Sequence, residues 1–248
     1  AGLTVELDFD QTRRRMLLVL NGSVKWSVHD LTLRLSVADP AAHRAMMEPW
    51  IPHLVELTRL GQTVLRNPEE LRRRVHTEFV VDDLATNPRY SYCRQYPGEL
   101  KLILSLTDGD TRFELSDEQL DQCPLSVDEL FYYGQMNTDN VAVDRVEQMG
   151  PLTSLTTRSV YISAKAANVP ALTSRFQIHA PHGLFLMAPM CHVLCYSPVD
   201  PANILQQLMA VIHTIRYPMA AASRTPGMLL SRDIFYYSPE GTYETITQ

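Results

Sequence analysis

Lysine is nearly missing from this 248-residue chain: the 22 basic residues comprise nineteen arginines and only Lys25, Lys101 and Lys165. Lysine supplies Schiff bases, phosphate-loop cations and many tuned general bases, because a buried ammonium can lose its proton. A chain this poor in lysine sets aside most lysine-dependent enzyme classes. Glycine is also low, at 10 residues, with no Gly-Lys pair, so a backbone cradle for nucleotide phosphates is not expected. No serine sits in a Gly-x-Ser-x-Gly setting, and the eight histidines are scattered outside any recognisable catalytic context. The four cysteines, Cys93, Cys123, Cys191 and Cys195, are too few for a disulfide scaffold. They favour a reducing, intracellular compartment, with the virion as the other setting considered. Apolar runs such as 16–20 and 184–187 stop far short of the roughly 20 residues of a spanning helix, so no membrane partner is expected.

What remains is an ordinary globular composition, 45% hydrophobic and 20% charged, with a formal net charge of −6. That charge argues against a surface devoted throughout to nucleic acid. Length allows one globular domain over 1–248, or two intimately packed lobes, 1–135 and 136–248.

Periodicity and turn chemistry predict many strands and a few short helices. A strand at 3–8 is followed by a two-residue hairpin around Asn21-Gly22, with Leu17 and Val19 facing Trp26 and Val24. A strand is expected at 30–37, a helix opening at Asp39-Pro40, another helix near 53–66 and a third from Asn67-Pro68. After a strand at 77–81, a hairpin around Asp108-Gly109 puts Leu102, Leu104 and Leu106 on one face with Phe113 and Leu115. Ser116 with Gln119, and Ser126 with Glu129, are capping boxes. Later strands are expected at 140–146, 155–163, 174–179, 184–187 and 191–196. Asp200-Pro201 opens an amphipathic helix carrying Ile204, Leu205, Leu208, Val211 and Ile212, and a hairpin turns at Pro239-Glu240-Gly241. The fold class is therefore α+β, strand-rich and mostly antiparallel with intercalated short helices, a jelly roll being one arrangement open to it.

The sharpest enzymatic pattern is Asp8-Phe9-Asp10-Gln11-Thr12 at a strand end, with Asp82-Asp83 after Phe79-Val80-Val81. It resembles the opening and later acidic motifs of haloacid-dehalogenase-type phosphohydrolases. The resemblance implies a magnesium-dependent enzyme in which Asp8 attacks phosphorus and Asp10 handles the leaving-group proton. The chain departs from that family in continuing with Arg13-Arg14-Arg15 and in placing Lys101 after the acidic motif. Cys191, His192 and Cys195 are the nearest approach to a metal set. On a strand, Cys191, Val193 and Cys195 would share one face and His192 the other, which favours buried thiols over zinc.

The concentrated positive charge lies in two triplets, Arg13, Arg14 and Arg15, and Arg72, Arg73 and Arg74. An arginine fork suits phosphates and acidic protein patches, so these six are the candidate nucleic-acid or partner contacts. A small first residue and a terminal Gln248 resemble a segment released by a 3C-like protease, which cuts after glutamine. Together these features lead to an expectation of a non-enzymatic structural subunit of a larger symmetric particle, a viral capsid or virion protein, without cofactor. It would associate with itself or with other structural subunits. The alternatives are the phosphohydrolase and a non-enzymatic adaptor domain.

Overall fold

Alternation of leucines along one long strand organises the first large sheet. The computed structural model describes residues 5–10, 15–20, 24–27, 40–42, 45, 48, 52, 63–81, 90–108, 111–223 and 229–246, with 5–10, 15–20, 24–27, 40, 108, 111, 118 and 217–223 described as backbone alone. The fold is α+β with antiparallel sheets. Strands β1 (Val5–Asp10), β2 (Arg15–Leu20) and β3 (Val24–Ser27) form a three-stranded sheet. Helix α1 (Pro68–Arg74) then leads directly into β4 (Val75–Val81). Asn67 caps α1, its side-chain oxygen accepting from the Glu69 and Glu70 amides at 3.1 and 3.3 Å, and Pro68 needs no amide partner there.

Strand β6 (Leu100–Asp108) pairs with β4 along one edge and with the short β5 (Arg94–Gln95) and β7 (Thr111–Glu114) along the other. The register sets Thr77 opposite Leu104 and Glu78 opposite Ile103. Val75, Thr77 and Phe79 therefore share a face with Leu102, Leu104, Leu106 and Phe113. That face joins Leu115 in the main core, and Leu100, Leu104, Leu106 and Leu115 are wholly buried. Each such side chain contributes roughly 1.5–3 kcal/mol.

Helix α2 (Asp117–Leu120) is short, and α3 (Val127–Asn140) covers the leucine face. Both expected capping boxes are present. Gly134 permits the close approach of α3. A Cβ there would sit 3.2 Å from the His76 carbonyl carbon and 3.3 Å from the Thr77 nitrogen and Leu104 Cδ2. Gly134→Ala should therefore lower stability by about 1 kcal/mol in urea denaturation, although alanine is the better helix former. Thr138 on the same helix reaches β4, its Oγ1 accepting from the Thr77 amide and donating to the Thr77 carbonyl, both at 3.0 Å.

The second large sheet has the order β13-β12-β10-β11-β9-β8, all neighbours antiparallel. It comprises β8 (Arg145–Met149), β9 (Leu152–Thr156), β10 (Leu184–Met190), β11 (Val193–Pro198), β12 (Ile234–Tyr237) and β13 (Tyr243–Ile246). Between β9 and β10 come a 3-10 segment (Ser163–Asn168) and α4 (Val169–Phe176). Helix α5 (Ile204–Ser223) follows β11. Sequence-adjacent strands here mostly join as local hairpins, so the described strands do not follow jelly-roll order. One apolar cluster runs from Val64 to Phe235, and the 135/136 lobe boundary falls inside α3.

Several expected elements differ. Leu20 pairs with Val24 rather than with Ser23. This shifts the register by one, so Leu18 rather than Leu17 lies opposite Trp26. The strand expected at 174–179 is the end of α4, which Asn168 caps by accepting from the Ala171 amide and Gln177 closes at φ 52°. Residues up to 140 of the expected 140–146 strand belong to α3, and β8 begins at Arg145. Of the expected 155–163 strand, only the first residues are strand, in β9. Cys191 and His192 form the turn before β11 rather than alternating on a strand. The expected strand at 30–37, Asp82-Asp83, Arg13 and Arg14 lie outside the described residues, as does most of 53–66.

Candidate association surface and a buried acidic seam

Helix α5 is fixed at its start by polar contacts and carries its apolar residues on more than one side. The Asp200 carboxylate accepts from the Ala202 amide and the Asn203 side chain at 3.1 and 3.0 Å. Gln207 donates to Ser197 Oγ at 2.8 Å and to the Pro198 carbonyl at 2.6 Å, tying the first turns to the end of β11. Val211 and Ile215 then face the sheet and are buried with Phe185, Met187 and Ile234. Leu205 and Met209, four residues apart and hence on one helical face, remain 77% and 68% exposed. Ile204 is exposed beside them.

This stripe borders a groove of about 560 Å³ between α5 and the sheet. Its floor includes Phe185, Tyr236 and Ile246, its α5 wall Ile204, Leu205 and Leu208, and its rim Glu240 and Glu244. A second apolar patch lies on α3, where Tyr132 and Met136 are exposed one turn apart. Scattered apolar residues are normal on a surface, whereas a contiguous stripe beside an apolar groove is a candidate contact site.

The expected arginine contacts are placed unequally. Arg72, Arg73 and Arg74 lie together in α1, but each is engaged within the chain. Arg72 pairs with Glu69 and stands over the Tyr133 ring, 5.4 Å from its centroid. Arg73 and Arg74 pair with Glu70 at 2.7 and 2.6 Å. These contacts hold the Glu70 carboxyl below its ordinary range. Arg15 begins β2, opposite Asp10. Asp8 and Asp10 share β1, whose described partner is antiparallel β2. Among the described residues, no group of three or more His, Cys, Asp or Glu side chains is arranged to hold a metal. Burial pushes the Cys123 and Cys195 thiols up to about 11, which suits inert core cysteines.

The face of the four-stranded sheet opposite the leucines holds a cluster that sequence reading missed. Strand alternation places His76, Glu78, Ser105, Arg112 and Glu114 on it. Arg112 donates to Glu78 Oε1 at 2.5 Å and to Glu114 Oε1 at 2.7 Å. Tyr161 covers this face, stacking on His76 with ring centroids 4.4 Å apart and accepting from Ser105 Oγ at 3.2 Å. Glu78 is 2% exposed, and its Oε2 has no hydrogen-bond partner. Burial pushes the Glu78 carboxyl up to about 7; the Arg112 guanidinium opposes the rise and the Glu114 charge adds to it. The available sequence signal was the alternation of His76 with Glu78 and of Arg112 with Glu114 along otherwise apolar strands. Comparison with protein-family models, curated proteins and solved structures finds no match.

Proposed function

We propose that the protein is a non-enzymatic structural subunit of a larger symmetric particle, of the viral capsid or virion kind. Copies would associate through the α5 stripe and its groove. The observation that carries this reading is the exposure of Leu205 and Met209 alongside Ile204 at the groove mouth. Covering each large apolar side chain is worth roughly 1.5–3 kcal/mol, enough for several together to offset part of the cost of association. The virion form of the reading draws on the strand-rich antiparallel architecture and on a basic set weighted to arginine, the cation suited to protein interfaces.

The test is a pair of variants, Leu205→Asp and Met209→Asp, singly and combined, measured by size-exclusion chromatography with light scattering. Wild type should run as an oligomer, and the double variant should weaken association at least about tenfold, since each charge must be desolvated on contact. Unchanged association in the double variant removes α5 from the interface. A wild type that stays monomeric when concentrated leaves the adaptor reading in place of the shell subunit.

A further inference from the structure

The Glu78 cluster lies where three parts of the chain meet. The four-stranded sheet contributes Glu78 and His76 from β4, Ser105 from β6, and Arg112 and Glu114 from β7. The segment before the 3-10 turn contributes Tyr161. The β10–β11 turn contributes Cys191, whose thiol feels both the Glu78 and Arg112 charges. The Ser163 amide donates to the Cys191 carbonyl at 3.4 Å, so the last two parts are joined directly behind the cluster. Tyr90 donates to Glu114 Oε2 at 2.9 Å, and Lys101 stands farther along the same face, opposite Val80.

Charge counting shows what is unusual here. A single guanidinium serves two carboxylates, so with both ionised the group carries one negative charge in excess. The more buried carboxylate is Glu78, its side chain 3% exposed against 21% for Glu114. One Glu78 oxygen is buried without a hydrogen-bond partner, the nearby Ser105 hydroxyl donating to Tyr161 instead. A bare carboxylate oxygen in a dry seam is expensive, and taking up a proton is the least costly remedy.

We propose that Glu78, Arg112 and Glu114 form a proton-operated clasp between the four-stranded sheet and the 160–166 segment that backs the β10–β11 turn. With Glu78 protonated, Arg112 and Glu114 balance and Tyr161 packs tightly over the face. When Glu78 loses its proton, the surplus charge draws water into the seam, and the Tyr161 cover separates from β4 more readily. The direction follows from linkage. The closed form holds a proton at Glu78 up to about pH 7, whereas an opened, solvated Glu78 releases it near the ordinary 4.5. The closed form's advantage is therefore complete below the lower value and disappears as pH rises through the upper one. This inference does not depend on the assembly reading, because every group in it belongs to one chain.

Hydrogen exchange followed by mass spectrometry tests it on the full chain. Protection of the 160–166 peptide is compared at about pH 6 and about pH 8.5, after correction for intrinsic exchange. Wild type should lose about tenfold in protection over that interval. Glu78→Gln should remove the pH dependence, because an amide does not titrate. Glu114→Gln should reduce it, because removing that charge lowers the Glu78 carboxyl while burial still holds it up. Glu114→Gln also serves as the informative variant should Glu78→Gln fail to fold. Equal protection of wild type at the two pH values overturns the proposal, as does a tenfold loss that persists in the folded variants.

Discussion

At about pH 8, replacing Arg112 with methionine should cost about 3–5 kcal/mol of folding stability, the usual penalty for stripping the partner from a buried ionised carboxylate. The arginine bridges Glu78 at 2.5 Å and Glu114 at 2.7 Å, and Glu78 has no other route to water. Methionine keeps the apolar stem but leaves two carboxylates facing each other across the sheet. The loss should be larger above neutral pH, where both carboxylates ionise, and smaller in acid, where Glu78 enters the fold already protonated. Adding Glu78→Gln to the variant should recover a large part of it, since the remaining charge belongs to the more accessible Glu114. Urea denaturation of the single and double variants, at about pH 5.5 and about pH 8, measures both effects. A cost below about 1 kcal/mol at both pH values contradicts a buried, uncompensated Glu78.

Lys165 should rank second. It is 1% exposed, and its Nζ donates to the Thr138 carbonyl at 2.8 Å and the Asp139 carbonyl at 2.6 Å. These are terminal carbonyls of α3, at the negative end of the helix dipole, and the Thr138 carbonyl also accepts from the Val141 amide at 3.1 Å. Arg175 also reaches the Asp139 carbonyl, at 2.7 Å, so in Lys165→Met each carbonyl keeps one donor and the loss is that of the ammonium's own bonds. The expected loss is about 1.5–3 kcal/mol, from the missing charge-assisted bonds. A pH signature separates this from simple loss of packing. Burial, and then the nearby Arg175 charge, lower the Lys165 ammonium from its ordinary 10.5 to about 8. The folded state therefore gives up this proton before the unfolded state does, and wild-type stability should gain a component as pH rises from about 8 towards 10.5. Lys165→Met should lack that component in urea titrations across the same range. A variant as stable as wild type, with the same alkaline profile, contradicts the capping role.

These two residues also show where sequence reading stops. Local signals were legible because they are written in a few neighbouring residues. The Leu102, Leu104 and Leu106 face with Phe113 and Leu115, the Ser116 and Ser126 capping boxes and the Asn67 cap all appear as expected. The amphipathic helix after Asp200-Pro201 was legible too, although its pattern could not show that Val211 would be buried and Leu205 left exposed. Glu78 was hidden by its surroundings. It sits in a run of Val, Thr and Phe and meets Arg112 only because β4 and β7 flank the same strand, a pairing no local pattern encodes. The region of α4 misled for a related reason. Thr173, Phe176 and Ile178 look strand-forming, but the Asn168 cap and an early Pro170 make their backbone helical up to Phe176. Lys165 looked like one of three stray lysines, and nothing nearby in sequence announces the end of a helix some 25 residues earlier that it closes.

The arginine skew gains a narrower meaning from the same geometry. Arg72, Arg73 and Arg74 pair with Glu69 and Glu70 of their own helix, and the proposed association rests on the apolar residues of α5 instead. The most direct test of that account is sedimentation-equilibrium mass of the wild-type chain from dilute to concentrated solution. The account predicts a mass that climbs from one chain to a defined multiple and falls back when Leu205 and Met209 are both replaced by aspartate. A mass that stays at one chain throughout would contradict it.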